Sequence, residues 1–224
     1  VERGFHTSLD QLGENVKSVD EANRAKDAYV AMLKLLAKSP CRPKTNISIK
    51  LTQCGFDQGD ELAEANYREI LRAAQAVDDC FVRVDMEASA YTERTMQLVQ
   101  KVWPEFKNTG TVLQSALVRT PKDVETLIGL GMRVRMVKGA YLEPESVAHQ
   151  QKSQVDDAFV ELSKRLLLEG NYPAIASHDQ KILETLKAFI AERAIPRERF
   201  EFQMIYGVRR DLQESLLAQG FNVR

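Results

Sequence analysis

Short runs of apolar and β-branched residues recur along the chain of 224 residues, and most are followed by a segment with helical periodicity. Seven runs predict strands, at residues 4–9, 47–51, 81–86, 111–117, 132–137, 174–178 and 200–205. An eighth strand begins at Phe221, in "FNVR". Regular alternation of strands and helices is typical of parallel sheets. The pattern predicts an α/β fold, a (βα)8 TIM-type barrel without its final strand-helix unit.

The segments between the runs carry signals for helix boundaries. Residues 60–77 place apolar side chains on one stripe, and Thr120 followed by Pro121 predicts an N-cap and a first helical residue. Glycines predict three helix ends, at Gly131, Gly170 and Gly220. No linker rich in Gly, Ser or Pro divides the chain, so residues 1–224 are expected to form one domain. An open doubly wound sheet is the alternative, although no GxGxxG motif follows the first strand.

Polar side chains occupy alternate positions in five of the predicted strands. They are Ser48 and Lys50, Arg83 and Asp85, Gln114, Arg133 and Arg135, and Glu201 and Gln203. Alternate residues of a strand face the same side, and the carboxyl ends of barrel strands carry the chemistry. Cations such as Lys50 and Arg135 favour an anion or an electron-rich ring, and Asp85 favours a donor. A zwitterionic substrate beside a polar cofactor accounts for the whole set.

Most of these polar residues, and the pair His178 and Asp179, also have an ordinary structural explanation. Arg83, Arg133 and Glu201 can form interior charge pairs, Lys50 can extend to solvent, Asp85 can cap the following helix, Gln114 and Gln203 can be core amides, and His178 with Asp179 can begin a helix. One shared ligand is the simpler interpretation, because it replaces several coincident explanations.

Composition narrows the class of protein. The formal net charge is -1, which argues against a nucleic-acid binder. Three scattered cysteines, Cys41, Cys54 and Cys80, predict reduced thiols and no metal site. No apolar run approaches the roughly 18 residues of a membrane helix, and "VERGFHTSLD" does not resemble a signal peptide. We expect a cytoplasmic protein, or one bound peripherally to the inner face of the cell membrane.

Five motifs occur in an order that resembles the proline dehydrogenase family in its monofunctional bacterial form. They are "SLDQLGE", "ISIKLTQ", "RVDMEAS", "VKGAYLEP" and "FEFQMIYG". The resemblance implies a distorted (βα)8 flavoprotein that binds FAD non-covalently. It implies oxidation of L-proline to Δ1-pyrroline-5-carboxylate, with hydride transfer to the flavin N5 and electrons passed to a membrane quinone. The family continues beyond the position of Arg224 into a helix with paired arginines, so we expect a domain truncated at its C-terminal end and weak proline binding.

The resemblance also assigns roles around the substrate. It implies that Lys50 meets the substrate carboxylate and that Asp85 supports this lysine. Tyr141 and Ile205 are expected to line the pocket, and Glu14 matches a glutamate that pairs with a substrate-binding arginine.

Cofactor contacts follow from the same motifs. The resemblance places Arg135 beside the flavin N5 and Gln114 at the isoalloxazine edge. Val137, Lys138, Gly139 and Ala140 are expected to line the cofactor, and Ser177, His178 and Gln203 to contact its phosphate and ribose region. Ser177 stands where the family usually has threonine.

Other functions remain open at this point. A hydroxyproline dehydrogenase of the same family is one alternative. A Schiff-base barrel aldolase using Lys50 is another, although Asp85 would keep that lysine protonated. A flavin-binding barrel without turnover is the third.

Overall fold

A computed structural model describes residues 3–224 and contains the seven predicted strands. They are β1 (Thr7–Asp10), β2 (Thr45–Ile49), β3 (Val82–Val84), β4 (Thr109–Gln114), β5 (Arg133–Val137), β6 (Ala174–Ala176) and β7 (Glu201–Gln203). The sheet order is β1-β2-β3-β4-β5-β6-β7. A doubly wound sheet reverses its strand order part-way, so that alternative is wrong.

Each strand is followed by a helix. The helices are α1 (Val19–Leu36), α2 (Asp60–Gln75), α3 (Ser89–Val102), α4 (Thr120–Leu130), α5 (Lys152–Glu169), α6 (Gln180–Glu192) and α7 (Arg210–Ala218). Short 3-10 helices cover Arg42–Lys44 and Arg197–Arg199. Apolar strand residues such as Ile47, Ile49 and Val84 are fully buried, as are Tyr67 and Ile70 on the α2 stripe. The predicted alternation is therefore confirmed.

The chain divides into two compact units. The first unit is Thr7–Thr111, and it contains β1 to β3, the start of β4 and helices α1 to α3. Its strands pair in parallel, with Asp10 opposite Ser48 and Ile49 opposite Val84. Asp10 is the last residue of β1, and Lys50 follows the last residue of β2. The carboxyl ends of these two strands therefore lie side by side.

The second unit consists of residues 3–6 and Val112–Arg224. Its strands β5, β6 and β7 pair in parallel, with Arg135 opposite Ala174 and Ala174 opposite Glu201. The predicted eighth strand begins here, because Phe202 forms a parallel bridge with Val223. The Phe202 N–H donates to the Asn222 carbonyl at 2.9 Å, and the Val223 carbonyl accepts from the His6 N–H at 2.8 Å.

One predicted helix boundary is wrong, and three are confirmed. The N-cap of α4 is Arg119 rather than Thr120, because the Thr120 hydroxyl instead donates to the Gln114 carbonyl at 2.5 Å. This bond ties the first turn of α4 to the end of β4. Three glycines follow helices as predicted, namely Gly131 and Gly220 with φ of 67° and 82°, and Gly170 in extended backbone.

All three cysteines are free thiols, as predicted. Among residues 3–224, no group of three or more His, Cys, Asp or Glu side chains is arranged to hold a metal ion. Over the same residues, no helix has both the length and the apolar character needed to cross a bilayer.

Candidate active site

The first unit gathers one ammonium and two carboxyl groups at the ends of three neighbouring strands. The Lys50 Nζ donates to Asp10 Oδ2 at 2.9 Å and to Asp85 Oδ2 at 3.4 Å. We call these three residues the lysine cluster. The side chain of Lys50 is 14% exposed, so it does not extend into solvent. Helix α3 begins only at Ser89 without a side-chain cap, so the interpretation of Asp85 as a helix cap is also wrong.

The cluster keeps its lysine protonated. Burial by itself lowers the pKa of Lys50, but the attraction of Asp85 and Asp10 outweighs burial and leaves this pKa raised. A Schiff-base lysine must lose its proton before it attacks a carbonyl group. The raised pKa therefore disfavours an aldolase and suits a lysine that binds an anion.

Asp10 is a site residue that the sequence interpretation missed. The first strand was predicted to end at Leu9, whereas β1 extends to Asp10. The signal lies in the alternation of "TSLD", because Asp10 shares the parity of Ser8, whose hydroxyl contacts the Ser48 hydroxyl at 3.2 Å. An acidic residue that directly follows an apolar run, and that faces the same side as the polar residues of that run, indicates a side chain at the end of the strand.

A buried acid lies behind the loop that carries Glu14. Glu87 is 3% exposed and accepts from the Thr52 N–H at 3.2 Å and from the Thr52 hydroxyl at 2.5 Å. Burial raises the pKa of Glu87. The Thr52 hydroxyl in turn accepts from the Asn15 N–H at 3.2 Å. Glu87 and Thr52 therefore anchor the backbone next to Glu14, whose own side chain is exposed.

In the second unit, the Arg135 side chain is bonded to an amide. The Arg135 Nε donates to Gln203 Oε1 at 2.6 Å, and the Gln203 Nε2 donates to Glu201 Oε1 at 2.5 Å. We call these three residues the arginine relay. Glu201 is 1% exposed and also accepts from the Arg224 Nε at 2.7 Å. The interior charge pair proposed for Glu201 is thereby confirmed.

The turn after β5 lies against the end of β4. Pairing of the two strands continues past their ends, with the Ala116 N–H donating to the Lys138 carbonyl at 2.9 Å. Gly139 has a φ of 113°, and a Cβ at this position would lie 2.9 Å from Gln114 Oε1. Glycine is therefore required where the turn meets the buried Gln114 amide. Val137 is half-buried at this turn, and Gly139 and Ala140 are exposed.

The Lys138 ammonium is held by acids from two helices. Its Nζ lies 2.6 Å from Asp156 Oδ1 and 3.1 Å from Asp179 Oδ2. The hydrogen bond from Lys138 lowers the pKa of Asp179. Asp179 also caps α6 by accepting from the Lys181 N–H at 3.1 Å, which confirms the helix-start role proposed for it. A cofactor contact of Lys138 stays a prediction, as do the cofactor contacts of the turn.

His178 is neutral at the end of β6. Its Nε2 accepts from the Ile205 N–H at 2.9 Å, so the ring proton lies on Nδ1. Burial, reinforced by the positive charge of Arg209, lowers the pKa of His178. The neighbouring Ser177 hydroxyl accepts from the Asp179 N–H at 3.1 Å. His178 therefore holds the backbone of Ile205 and presents a neutral donor.

The two predicted pocket walls lie after different strands of the second unit. Tyr141 follows β5 and is half-buried, whereas Ile205 follows β7 and is 69% exposed. Their roles at a substrate stay predictions.

A model of the proline dehydrogenase family matches residues 1–224. The chain is 37% identical over 221 residues to proline dehydrogenase 1 of Bacillus subtilis (strain 168), covering 99% of this chain and 72% of that one. It is 36% identical over 224 residues to a proline dehydrogenase of Deinococcus radiodurans, with the same coverage. The chain belongs to the proline dehydrogenase family.

Solved structures of proline utilization A (PutA) have the same fold. The Bdellovibrio bacteriovorus protein matches with a TM-score of 0.89 and 25% identity over 100% of this chain, which spans 28% of that protein. A mutant PutA of Bradyrhizobium japonicum matches with a TM-score of 0.85 and 21% identity over 100% of this chain, or 27% of its own. These likenesses confirm the predicted (βα)8 fold class, and membership of the proline dehydrogenase family confirms the predicted enzyme class.

Proposed function

We propose that this proline dehydrogenase family member oxidises L-proline to Δ1-pyrroline-5-carboxylate with FAD as its cofactor. The observation that carries the proposal is that residues of the family's motifs have the contacts that these roles require. The family's strand-end residues are present, Lys50 is held protonated by Asp10 and Asp85, and Arg135 is held by a neutral amide. A protonated lysine suits an amino-acid carboxylate, and a guanidinium suits an electron-rich ring.

The lysine cluster is proposed to bind the substrate. Lys50 would donate a charge-assisted hydrogen bond to the proline carboxylate, and Asp85 and Asp10 would hold its ammonium in position. Tyr141 and Ile205 would provide apolar contact with the pyrrolidine ring. Glu14 would pair with a substrate-binding arginine, on a loop that Thr52 and Glu87 support.

The second unit is proposed to bind the cofactor. Its groups fit a flavin, because Arg135 is cationic, Gln114 is a buried amide, and Gly139 lets the turn after β5 approach that amide closely. Bound FAD would supply the two-electron acceptor, taking a hydride from the substrate at N5. Arg135 would stabilise the negative charge that reduction places on the ring.

The remaining cofactor contacts would lie toward the phosphates. The neutral His178 would donate through Nδ1, with Ser177 and Gln203 beside it. Val137, Lys138 and Ala140 would line the cofactor along the turn after β5, and the pairing of Lys138 with Asp156 and Asp179 would hold that turn in place.

The proposal treats residues 1–224 as one FAD-binding catalytic domain. Electrons would pass from the reduced flavin to a quinone at the inner face of the cell membrane, where the protein would bind peripherally from the cytoplasm. A hydroxyproline dehydrogenase is the second candidate, because the described pocket walls do not distinguish the two imino acids.

An anaerobic absorbance spectrum tests the proposal. We expect the purified protein to be yellow, to be bleached by L-proline, and to release FAD on heating. Release of FMN, or a colourless protein trapped on a substrate by borohydride, would contradict it. Faster bleaching by hydroxyproline than by proline would favour the second candidate.

A further inference from the structure

The Arg135 side chain crosses a neighbouring strand to reach its partner. Arg135 lies on β5 and Gln203 on β7, with β6 between them. Two strand spacings of about 4.8 Å separate β5 from β7. The β6 residues in register with Arg135 and Gln203 are Ala174 and Ala176. Because both are alanines, they leave room for a long side chain to lie across β6.

The hydrogen bonds of Gln203 have a fixed direction. A carboxylate only accepts and a guanidinium only donates. The Gln203 amide must therefore turn its nitrogen toward Glu201 and its oxygen toward the Arg135 Nε. Exchanging the two ends of the amide would place donor against donor and acceptor against acceptor. The Glu201 charge thus determines which way Gln203 points, and Gln203 determines where the Arg135 Nε points.

Glu201 is fixed by further donors. Besides the Arg224 Nε at 2.7 Å, the Tyr172 hydroxyl donates to Glu201 Oε2 at 3.4 Å. His6 Nδ1 lies 3.5 Å from the same oxygen. Oε1 serves the relay and Arg224, and Oε2 faces Tyr172 and His6. A contact on Oε2 can therefore be removed while the bond to Gln203 is kept.

We propose that Glu201 is a positioning residue for Arg135 and acts through Gln203. Its carboxylate fixes the direction of the Gln203 amide, and the oxygen of that amide fixes the direction of the Arg135 Nε–H. The consequence for the flavin rests on the proposed function, but the positioning itself concerns this chain's own side chains. Ala174 and Ala176 are part of the same arrangement, because larger residues would block the crossing.

Solvent exchange of the Arg135 Nε–H, measured by NMR without cofactor, tests the positioning. The resonance is assigned by its loss in Arg135→Lys. We expect exchange at least tenfold faster in Gln203→Met, which removes the acceptor, and in Glu201→Gln, which no longer dictates the amide direction. Tyr172→Phe removes only a contact to Oε2 and should exchange like the parent. Parent-like exchange in both relay variants would overturn the proposal, whether or not FAD binds.

The midpoint potential of bound flavin tests the consequence. We expect a more negative potential in Gln203→Met and Glu201→Gln, because a poorly directed guanidinium stabilises the reduced ring less, and a parent-like potential in Tyr172→Phe. A merely structural role would lower the thermal midpoint and leave the potential unchanged, which would refute the link to the cofactor. If the parent protein binds no FAD, the proposed function is wrong. The exchange measurement would still show whether Glu201 positions Arg135 through Gln203.

Discussion

The lysine cluster and the arginine relay hold their cations in different ways. Lys50 is bonded directly to the carboxyl groups of Asp10 and Asp85. The Arg135 Nε is bonded to the Gln203 amide, and the nitrogen of that amide is bonded to the Glu201 carboxylate. Lys50 follows the last residue of β2, whereas Arg135 lies in the middle of β5, so the two cations differ in location as well as in partner.

Direct and amide-mediated pairing have different consequences. Direct pairing holds a charge against an opposite charge, whereas the Gln203 amide transmits a direction from Glu201 to the Arg135 Nε. Lysine is a point charge that needs partners to hold its flexible stem, whereas arginine is a planar fork whose direction matters. The lysine cluster therefore suits binding of an anion by a protonated group. The arginine relay suits a cation whose planar head must be held in one direction.

The largest expected effect comes from removing the charge at Arg135. We expect Arg135→Met to slow flavin reduction by L-proline roughly 10²-fold or more, about 3 kcal/mol in activation free energy, as for other preorganised charge stabilisers. FAD content should fall less than the rate. Arg133→Met is the matched control, since Arg133 lies on the same strand with its guanidinium 4.9 Å from the Tyr172 ring centroid. The rates are measured by rapid mixing. If flavin reduction slows equally in both variants, Arg135 has no special role.

Replacing Lys50 should affect binding instead of the flavin. Loss of a charge-assisted hydrogen bond costs about 1.5–3 kcal/mol, so Lys50→Met should weaken a proline-like carboxylate inhibitor roughly 10- to 100-fold. Its FAD content should match the parent. Lys26→Met is the control, because Lys26 also contacts two acids, Asp27 at 2.7 Å and Glu69 at 3.1 Å, away from the strand ends. Equal dissociation constants for the two variants would place the carboxylate site elsewhere.

A smaller effect is expected from loosening the lysine cluster. Asp10→Asn removes one of the two acids that raise the pKa of Lys50, so that pKa should fall. Inhibitor binding needs the ammonium form, and its loss as pH rises should therefore begin at a lower pH than in the parent. Binding titrations from neutral to alkaline pH measure this limit. Asp27→Asn should lose inhibitor binding at the same pH as the parent. If Asp10→Asn also loses binding at that pH, Asp85 alone sets the protonation of Lys50.

The sequence was sufficient to predict the strands and much of the lysine cluster. Apolar residues such as Ile47 and Ile49 alternate with polar ones because one strand face packs on helices, and this alternation marks both the strand and its polar side. Parity placed Lys50, Asp85 and Arg135 among the polar strand positions, and the family resemblance assigned their roles. Asp10 was missed because backbone pairing extends one residue beyond the last apolar side chain, and pairing leaves no mark in composition.

The partners of the strand-end groups were not predictable in the same way. The bond between Arg135 and Gln203 depends on side-chain reach across Ala174, and strand parity does not encode reach. Thr120 was misassigned because the same hydroxyl can cap a helix or bind a nearby carbonyl, and only the location of Gln114 decides between them. A single sequence therefore predicts the position of a side chain on a strand better than it predicts the hydrogen-bond partner of that side chain.

The smallest expected effect concerns His178, a neutral side chain just after β6. Its pKa lies below the ordinary value, so the folded protein binds this proton less readily than the unfolded chain. Its contribution to stability is present above the unfolded pKa of about 6.5 and is lost as pH falls from there through the folded pKa. Protonation would also place a donor on Nε2 against the Ile205 N–H. His178→Gln keeps an acceptor that does not titrate, so its thermal midpoint should fall less than the parent's between neutral pH and about pH 5. His149→Gln should behave like the parent, and equal losses in all three proteins would show that another group governs stability in this range.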